Sequence, residues 1–224
     1  VSARANIDAL KRSGCTDLVA ISAVGSLREE LEPGSFVVVD QFIDRTTMRP
    51  ASFFGSGCVA HVSMADPVCE RLSALALTAI ERAGGKGAPG CTYIAIEGPQ
   101  FSTRAESRLY REWGADVIGM TAMPEARLAR EAELPYALIG MITDHDAWRE
   151  DIEPVATPAV VAQMAANGAL ARSVVTQLVS ALPKRRKPSP IDTALDGAIL
   201  TDPANRDAAL LARLDAVAGR VLHT

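Results

Sequence analysis

Asp144 and Asp146 stand two residues apart, directly after Tyr136-Ala137-Leu138-Ile139-Gly140-Met141-Ile142, the most apolar strand-like run in the chain. Two carboxylates held so closely at the edge of an apolar strand repel each other and are partly desolvated, so one is expected to carry a raised pKa and to share a proton with its neighbour. That is the equipment of a general acid. The same spacing in Thr143-Asp144-His145-Asp146 also suits a helix N-cap with its companion in water, and spacing alone leaves both readings open.

Three other segments could do chemistry. Ser22-Ala23-Val24-Gly25-Ser26 offers a hydroxyl and small residues that leave backbone N–H groups exposed, which is either an anion-holding concavity or a tight turn out of a strand. Glu97-Gly98-Pro99-Gln100-Phe101-Ser102 follows a strand and joins a carboxylate, a turn and an aromatic ring; Phe101 serves there as core packing or as a stacking surface. His61 lies in a long polar loop, where a histidine is either plain surface or part of a site. Cys15, Cys58, Cys69 and Cys91 are scattered, with no CxxC pair and no His at ligand spacing, so neither a zinc site nor a disulfide framework is expected.

These segments need a scaffold that brings strand ends together. Short apolar runs at 17–24, 35–40, 93–96, 116–120 and 136–142 read as strands, and helical spacing recurs over 72–83, 105–113, 124–131 and 157–182. Strand and helix alternate, which argues an α/β fold with a largely parallel sheet, and in such sheets ligands gather at the carboxyl ends of the strands. Pro183 ends the fourth helix. Residues 184–190, with the run Lys184-Arg185-Arg186-Lys187, read as a solvated linker between a domain over 1–183 and a C-terminal helical extension over 191–224, in which 207–222 forms one amphipathic helix. The chain opens inside an amphipathic helix (Ala5, Ile7, Leu10) with no capping residue before it, so an upstream segment is expected.

Composition sets the outer bounds. The 224 residues are 48% hydrophobic and carry a formal charge of −4, enough for one sizeable core and without a general basic face for nucleic acid or anionic membrane. A nucleic-acid role rests only on the 184–187 run. No apolar stretch approaches the roughly 20 residues that span a bilayer, and no signal peptide precedes the first helix, so a reducing, cytoplasmic location is expected.

Four segments resemble, in order and spacing, those of the 5′-methylthioadenosine phosphorylases: Gln41 to Pro50 (QFIDRTTMRP), Glu97 to Ser102 (EGPQFS), Gly119 to Glu125 (GMTAMPE) and Thr143 to Trp148 (TDHDAW). The resemblance runs from Arg4 to about Leu182. It implies a three-layer α/β/α nucleoside phosphorylase fold with a mixed, partly barrel-like central sheet, assembled as a homotrimer. It implies phosphate attack on C1′ of 5′-methylthioadenosine, with phosphate as co-substrate and no metal or organic cofactor. Carried over position by position, Phe101 packs on the purine with Ser102 beside it, Met120 binds the ribose, and Ser22, Ala23 and Thr121 hold phosphate. Asp144 and Asp146 read the N7 and 6-amino edge of adenine. His61 reaches the 5′ pocket of a neighbouring subunit, whose apolar wall comes from Val155, Thr157, Val160 and Val161; Thr157 departs from the expected valine. The family also places a Gly-rich phosphate loop and an Arg-His pair ahead of the helix that opens here. Two other functions stay open: phosphorolysis of a 6-oxopurine nucleoside such as inosine or methylthioinosine, and a catalytically incomplete nucleoside-binding subunit.

Overall fold

The structure, a computed structural model, describes residues 2–150 and 156–222. Helix α1, Ala3–Arg12, does have a cap, contrary to the sequence reading: the Ser2 hydroxyl accepts the Ala5 N–H at 3.3 Å, and Lys11 and Arg12 complement the dipole in its last turn. The strands are β1 Leu18–Ser26, β2 Phe36–Asp44, β3 Gly87–Ala95, β4 Val117–Gly119 and β5 Tyr136–Asp144. Between and after them run α2 Glu70–Arg82, α3 Arg104–Glu112, α4 Glu125–Glu131, α5 Thr157–Ala181, α6 Ala208–Arg213 and α7 Asp215–Leu222. Among the described residues no helix is long and apolar enough to cross a membrane.

The five strands close into a barrel in the order β1-β4-β3-β2-β5. The alternation of elements predicts a largely parallel sheet; two of the five pairings, β1 with β4 and β2 with β5, are antiparallel. The sheet is therefore mixed: β2, β3 and β4 run one way and β1 and β5 the other, and the barrel closes where β5 pairs with β1 on one edge and β2 on the other. Gly140 sits at that double pairing, opposite Ser22 and Val37. A Cβ there would lie 2.7 Å from Val37 Cγ2 and 3.0 Å from Val24 Cγ2, so closure is tight enough to exclude a methyl group.

Side chains of period two cover both faces of the strands. Phe36, Val38 and Ile139 pack beneath α2 and α5 with Ala76, Ala79, Ile80 and Val174. Val37, Val39, Tyr136 and Leu138 point the other way, against Ile7 of α1 and Ala126, Leu128 and Ala129 of α4. Helices thus lie on either side of the strands, giving the three layers.

The C-terminal extension differs from the single helix expected over 207–222. The chain breaks at Leu214 into α6 and α7. Leu210, Leu214 and Ala218 cover Phe54 and Cys58 of the loop after β2, while Val217 joins the main core. Residues 184–190 are not uniformly solvated. Arg186 donates from Nε to Asp17 at 2.7 Å and from its two terminal nitrogens to Asp192 at 2.8 and 2.5 Å, fastening this stretch to the start of β1.

Candidate active site

The ends of β1, β4 and β5 meet around a cavity of about 400 Å³. Ser22 and Ala23 border it from β1, Met120 and Thr121 from the turn after β4, Asp144 and Asp146 from the end of β5, Phe101 from the loop after β3 and Val160 from α5. Eight of the residues marked in the sequence therefore share one space. Apart from Thr143 its remaining wall is apolar, with Ile21, Val24, Ile96, Ile118 and Met141.

The two aspartates differ sharply. Asp144 Oδ1 accepts the Asp146 N–H at 2.8 Å and its Oδ2 accepts the Thr143 hydroxyl at 2.7 Å. This is a side-chain-to-backbone turn and not a helix cap. It holds Asp146 in the left-handed region, at φ 48°, and tucks that residue inward until it is 5% exposed. Burial raises the Asp146 pKa, against the opposing pull of a hydrogen bond from the Ser107 hydroxyl of α3. The raised pKa expected within the pair therefore belongs to Asp146. Trp148 closes the segment by donating from Nε1 to the Ser26 carbonyl at 2.9 Å. His145, between the aspartates, is held below the usual histidine range, first by burial and then by the charge of Arg149.

Opposite chemistry is gathered at Ser22 and Thr121, whose hydroxyls lie 2.7 Å apart and share one hydrogen bond. Both also border a neighbouring cavity of about 570 Å³, which neither aspartate touches, so the hydroxyl pair and the carboxyl pair occupy different sides of the site. Thr121 is fixed by its backbone N–H, which donates to the Tyr93 hydroxyl at 3.2 Å. That contact demands Gly119, since any Cβ there would fall on the Tyr93 hydroxyl. Asn167 of α5 donates to the Ile142 carbonyl at 3.0 Å, which anchors the helix bearing Val160 to the strand bearing the aspartates.

Other residues marked in the sequence do not border this cavity of the single chain. Thr157 and Val161 are exposed and do not border the cavity of their own chain. On a helix Thr157 lies about 60° and Val161 about 100° round from Val160, and Met164, one turn beyond Val160, borders the cavity with it. The Val160–Met164 spacing in the sequence was the available signal. Val155 lies outside the described residues. Ser102 does not border the cavity, and its hydroxyl is buried without a hydrogen-bond partner. His61 is exposed and away from this cavity; its backbone N–H donates to the Ala198 carbonyl at 2.9 Å.

Three positioning groups escaped the sequence reading: Ser107, Tyr93 and the ion pair of Arg49 with Glu97, at 2.9 Å. The Glu97 carboxyl is held below the usual range by the Thr47 and Met48 N–H groups and by Arg49. Among the described residues no cluster of three or more His, Cys, Asp or Glu side chains is placed to hold a metal ion.

Residues 1–182 match the phosphorylase superfamily. The S-methyl-5′-thioadenosine phosphorylase of Cereibacter sphaeroides is 58% identical over 221 residues, covering 98% of this chain and 76% of that protein. That of Bradyrhizobium diazoefficiens is 53% identical, covering 100% of this chain and 77% of its own length. The crystal structure of a methylthioadenosine phosphorylase from an antarctic soil metagenomic library superposes with a TM-score of 0.90 at 44% identity, over 96% of this chain and 76% of that one. With a matched stretch that takes in every strand of the barrel, this chain belongs to the phosphorylase superfamily and, within it, to the family of S-methyl-5′-thioadenosine phosphorylases.

Proposed function

We propose that this protein is a pentosyltransferase that cleaves 5′-methylthioadenosine with phosphate, giving adenine and 5-methylthioribose 1-phosphate, a salvage reaction. The observation that carries this reading is the placement, in one apolar cavity, of a carboxyl pair on one side and a hydroxyl pair on the other. Breaking the C1′–N9 bond sends its electron pair to the base and leaves positive charge on the ribose. A phosphate oxygen then forms the new bond at C1′, and its dianionic charge stabilises the ribosyl cation on the way.

Asp144 hands its proton towards N7 of the departing base and is left as the carboxylate, with Asp146, whose burial favours the neutral acid, beside it on the same cavity. A carboxyl oxygen also accepts from the 6-amino group of adenine, where a 6-oxopurine would set acceptor against acceptor. Ser22, Ala23 and Thr121 serve phosphate, Met120 the ribose and Phe101 the purine. The half-exposed ring of Phe101, at the cavity wall and outside the core clusters, suits stacking better than packing.

The same proposal includes a homotrimer in which His61 works at a neighbour's 5′ pocket. Its support is that His61 is exposed on a segment fastened to the C-terminal extension, where Ala60 pairs with Ile199 and the Val59 N–H donates to Thr201 Oγ1 at 2.8 Å. A reducing, cytoplasmic location fits four free cysteines.

The test is spectrophotometric detection of adenine release from 5′-methylthioadenosine with and without phosphate, beside inosine as the 6-oxopurine control. Phosphate-dependent release that favours the adenine nucleoside is expected. Release without phosphate, or equal use of inosine, overturns the assignment.

A further inference from the structure

We propose that Arg49 is a positioning residue for this reaction, a guanidinium clamp that joins the loop after β3 to the loop after β4. The proposal rests on the functional reading above, since the first loop carries Phe101 and the second carries Met120 and Thr121.

The planar guanidinium has five N–H donors, and all five are engaged. Nε donates to Glu97 Oε1 at 2.9 Å. Nη1 donates to the carbonyls of Met120 and Met123, each at 2.6 Å. Nη2 donates to the carbonyls of Glu97 at 2.6 Å and Ile96 at 3.3 Å. Two of the carbonyls follow directly on β3 and the other two bracket Thr121. A single planar group therefore fixes the distance between the aromatic loop and the hydroxyl loop.

The clamp is itself held. Glu97 Oε2 accepts the N–H groups of Thr47 and Met48 at 2.6 and 3.1 Å, and Asp44 Oδ1 accepts both the N–H and the hydroxyl of Thr46 at 2.8 and 2.7 Å. The segment leading into Arg49 is thereby pinned to the end of β2 and the start of the loop it clamps.

Two features separate positioning from direct anion binding. With every donor spent on protein acceptors, none is left for phosphate. Arg49 is also absent from the wall of the 400 Å³ cavity and borders instead a neighbouring one of about 730 Å³. Lysine cannot replace it, because an ammonium group presents three donors from a point and cannot meet four carbonyls in a plane.

The test compares the protein with its Arg49→Ala and Arg49→Lys variants, measuring kcat and KM for both substrates, thermal unfolding, and recovery by millimolar guanidinium against the same concentration of ammonium. A small misplacement of reacting groups costs on the order of a hundredfold in rate. Arg49→Ala should lose about that much in kcat/KM for both substrates at temperatures where it stays folded, and guanidinium, not ammonium, should restore about tenfold. Arg49→Lys should keep cooperative unfolding and still lose about tenfold or more. Wild-type kcat/KM in either folded variant, or a loss that follows the unfolded fraction and ignores guanidinium, overturns the clamp. If Arg49→Ala does not fold, Arg49→Lys decides alone by the same criterion. A wild-type protein that releases no adenine sinks the functional reading instead; the clamp is then judged by adenine-induced stabilisation, which Arg49→Lys should lose and which an unchanged shift would contradict.

Discussion

The backbone N–H of Asp146 donates to Oδ1 of Asp144 at 2.8 Å, and through this bond two chemically identical side chains acquire different environments. Asp144 remains at the cavity with both oxygens engaged locally, while Asp146 is turned inward under the Ser107 hydroxyl. Both border the cavity, and only for Asp146 does burial favour the neutral form.

That division has a signature in stability. The Asp146 pKa is raised in the folded state, so the stability linked to its proton is fully present below the unfolded aspartate value and is lost as pH rises through the folded one. Asp146→Asn keeps an acceptor for Ser107 and has no charge to bury. The melting temperature of the variant relative to the parent should therefore climb as pH rises from about 4, the ordinary aspartate value. Thermal scans upward from that pH check it, and a constant difference would mean that Asp146 ionises as freely folded as unfolded.

Asp144→Asn tests the proton donor. Loss of general acid help should slow turnover of 5′-methylthioadenosine by about 10²–10⁴-fold. The KM for phosphate should hardly move, because Asp144 lies apart from the hydroxyl pair. Near-normal rates would remove Asp144 from the role of acid.

Thr121→Val and Ser22→Ala each delete one member of the hydroxyl pair. A hydrogen bond to a charged partner contributes about 1.5–3 kcal/mol, so each variant should raise the KM for phosphate by about tenfold or more. Nucleoside binding, followed by calorimetry without phosphate, should stay close to the parent. A selective loss of nucleoside affinity would place these hydroxyls at the sugar.

Gly119→Ala should be among the most damaging small substitutions in the chain. Its methyl group would meet the Tyr93 hydroxyl, which holds the Thr121 N–H. Overpacking of this kind costs about 1–3 kcal/mol. In a Tyr93→Phe background part of that cost should disappear, and denaturant unfolding of the two singles and the double reads the coupling. Strict additivity would show that the clash is relieved elsewhere.

How far the sequence was legible depends on the range of the interactions concerned. The apolar runs at β1, β2 and β5 show themselves because a doubly covered strand must be apolar throughout. β3 was read only from Tyr93, whereas it begins at Gly87. Pro89 and Gly90 hide its first half: they sit where the register with β2 slips between Val37 and Val39, and a bulge tolerates residues that a regular strand rejects. The break of the last helix at Leu214 was invisible because the apolar stripe Leu210, Leu214, Val217 and Ala218 keeps helical spacing straight across it.

The sequence by itself determined the apolar strands β1, β2 and β5, the two aspartates at a strand end and the small residues of 22–26, since these follow from local periodicity and from the chemistry of adjacent side chains. The tertiary structure decided which aspartate is buried, which hydroxyls pair and what Arg49 holds. The partners in those contacts stand 39 residues apart for Ser107 and Asp146, 99 for Ser22 and Thr121, and 71 for Arg49 and Met120. Desolvation and hydrogen-bond acceptors are supplied by whatever the closed barrel brings near, and no stretch of sequence around Asp146 or Arg49 contains that information.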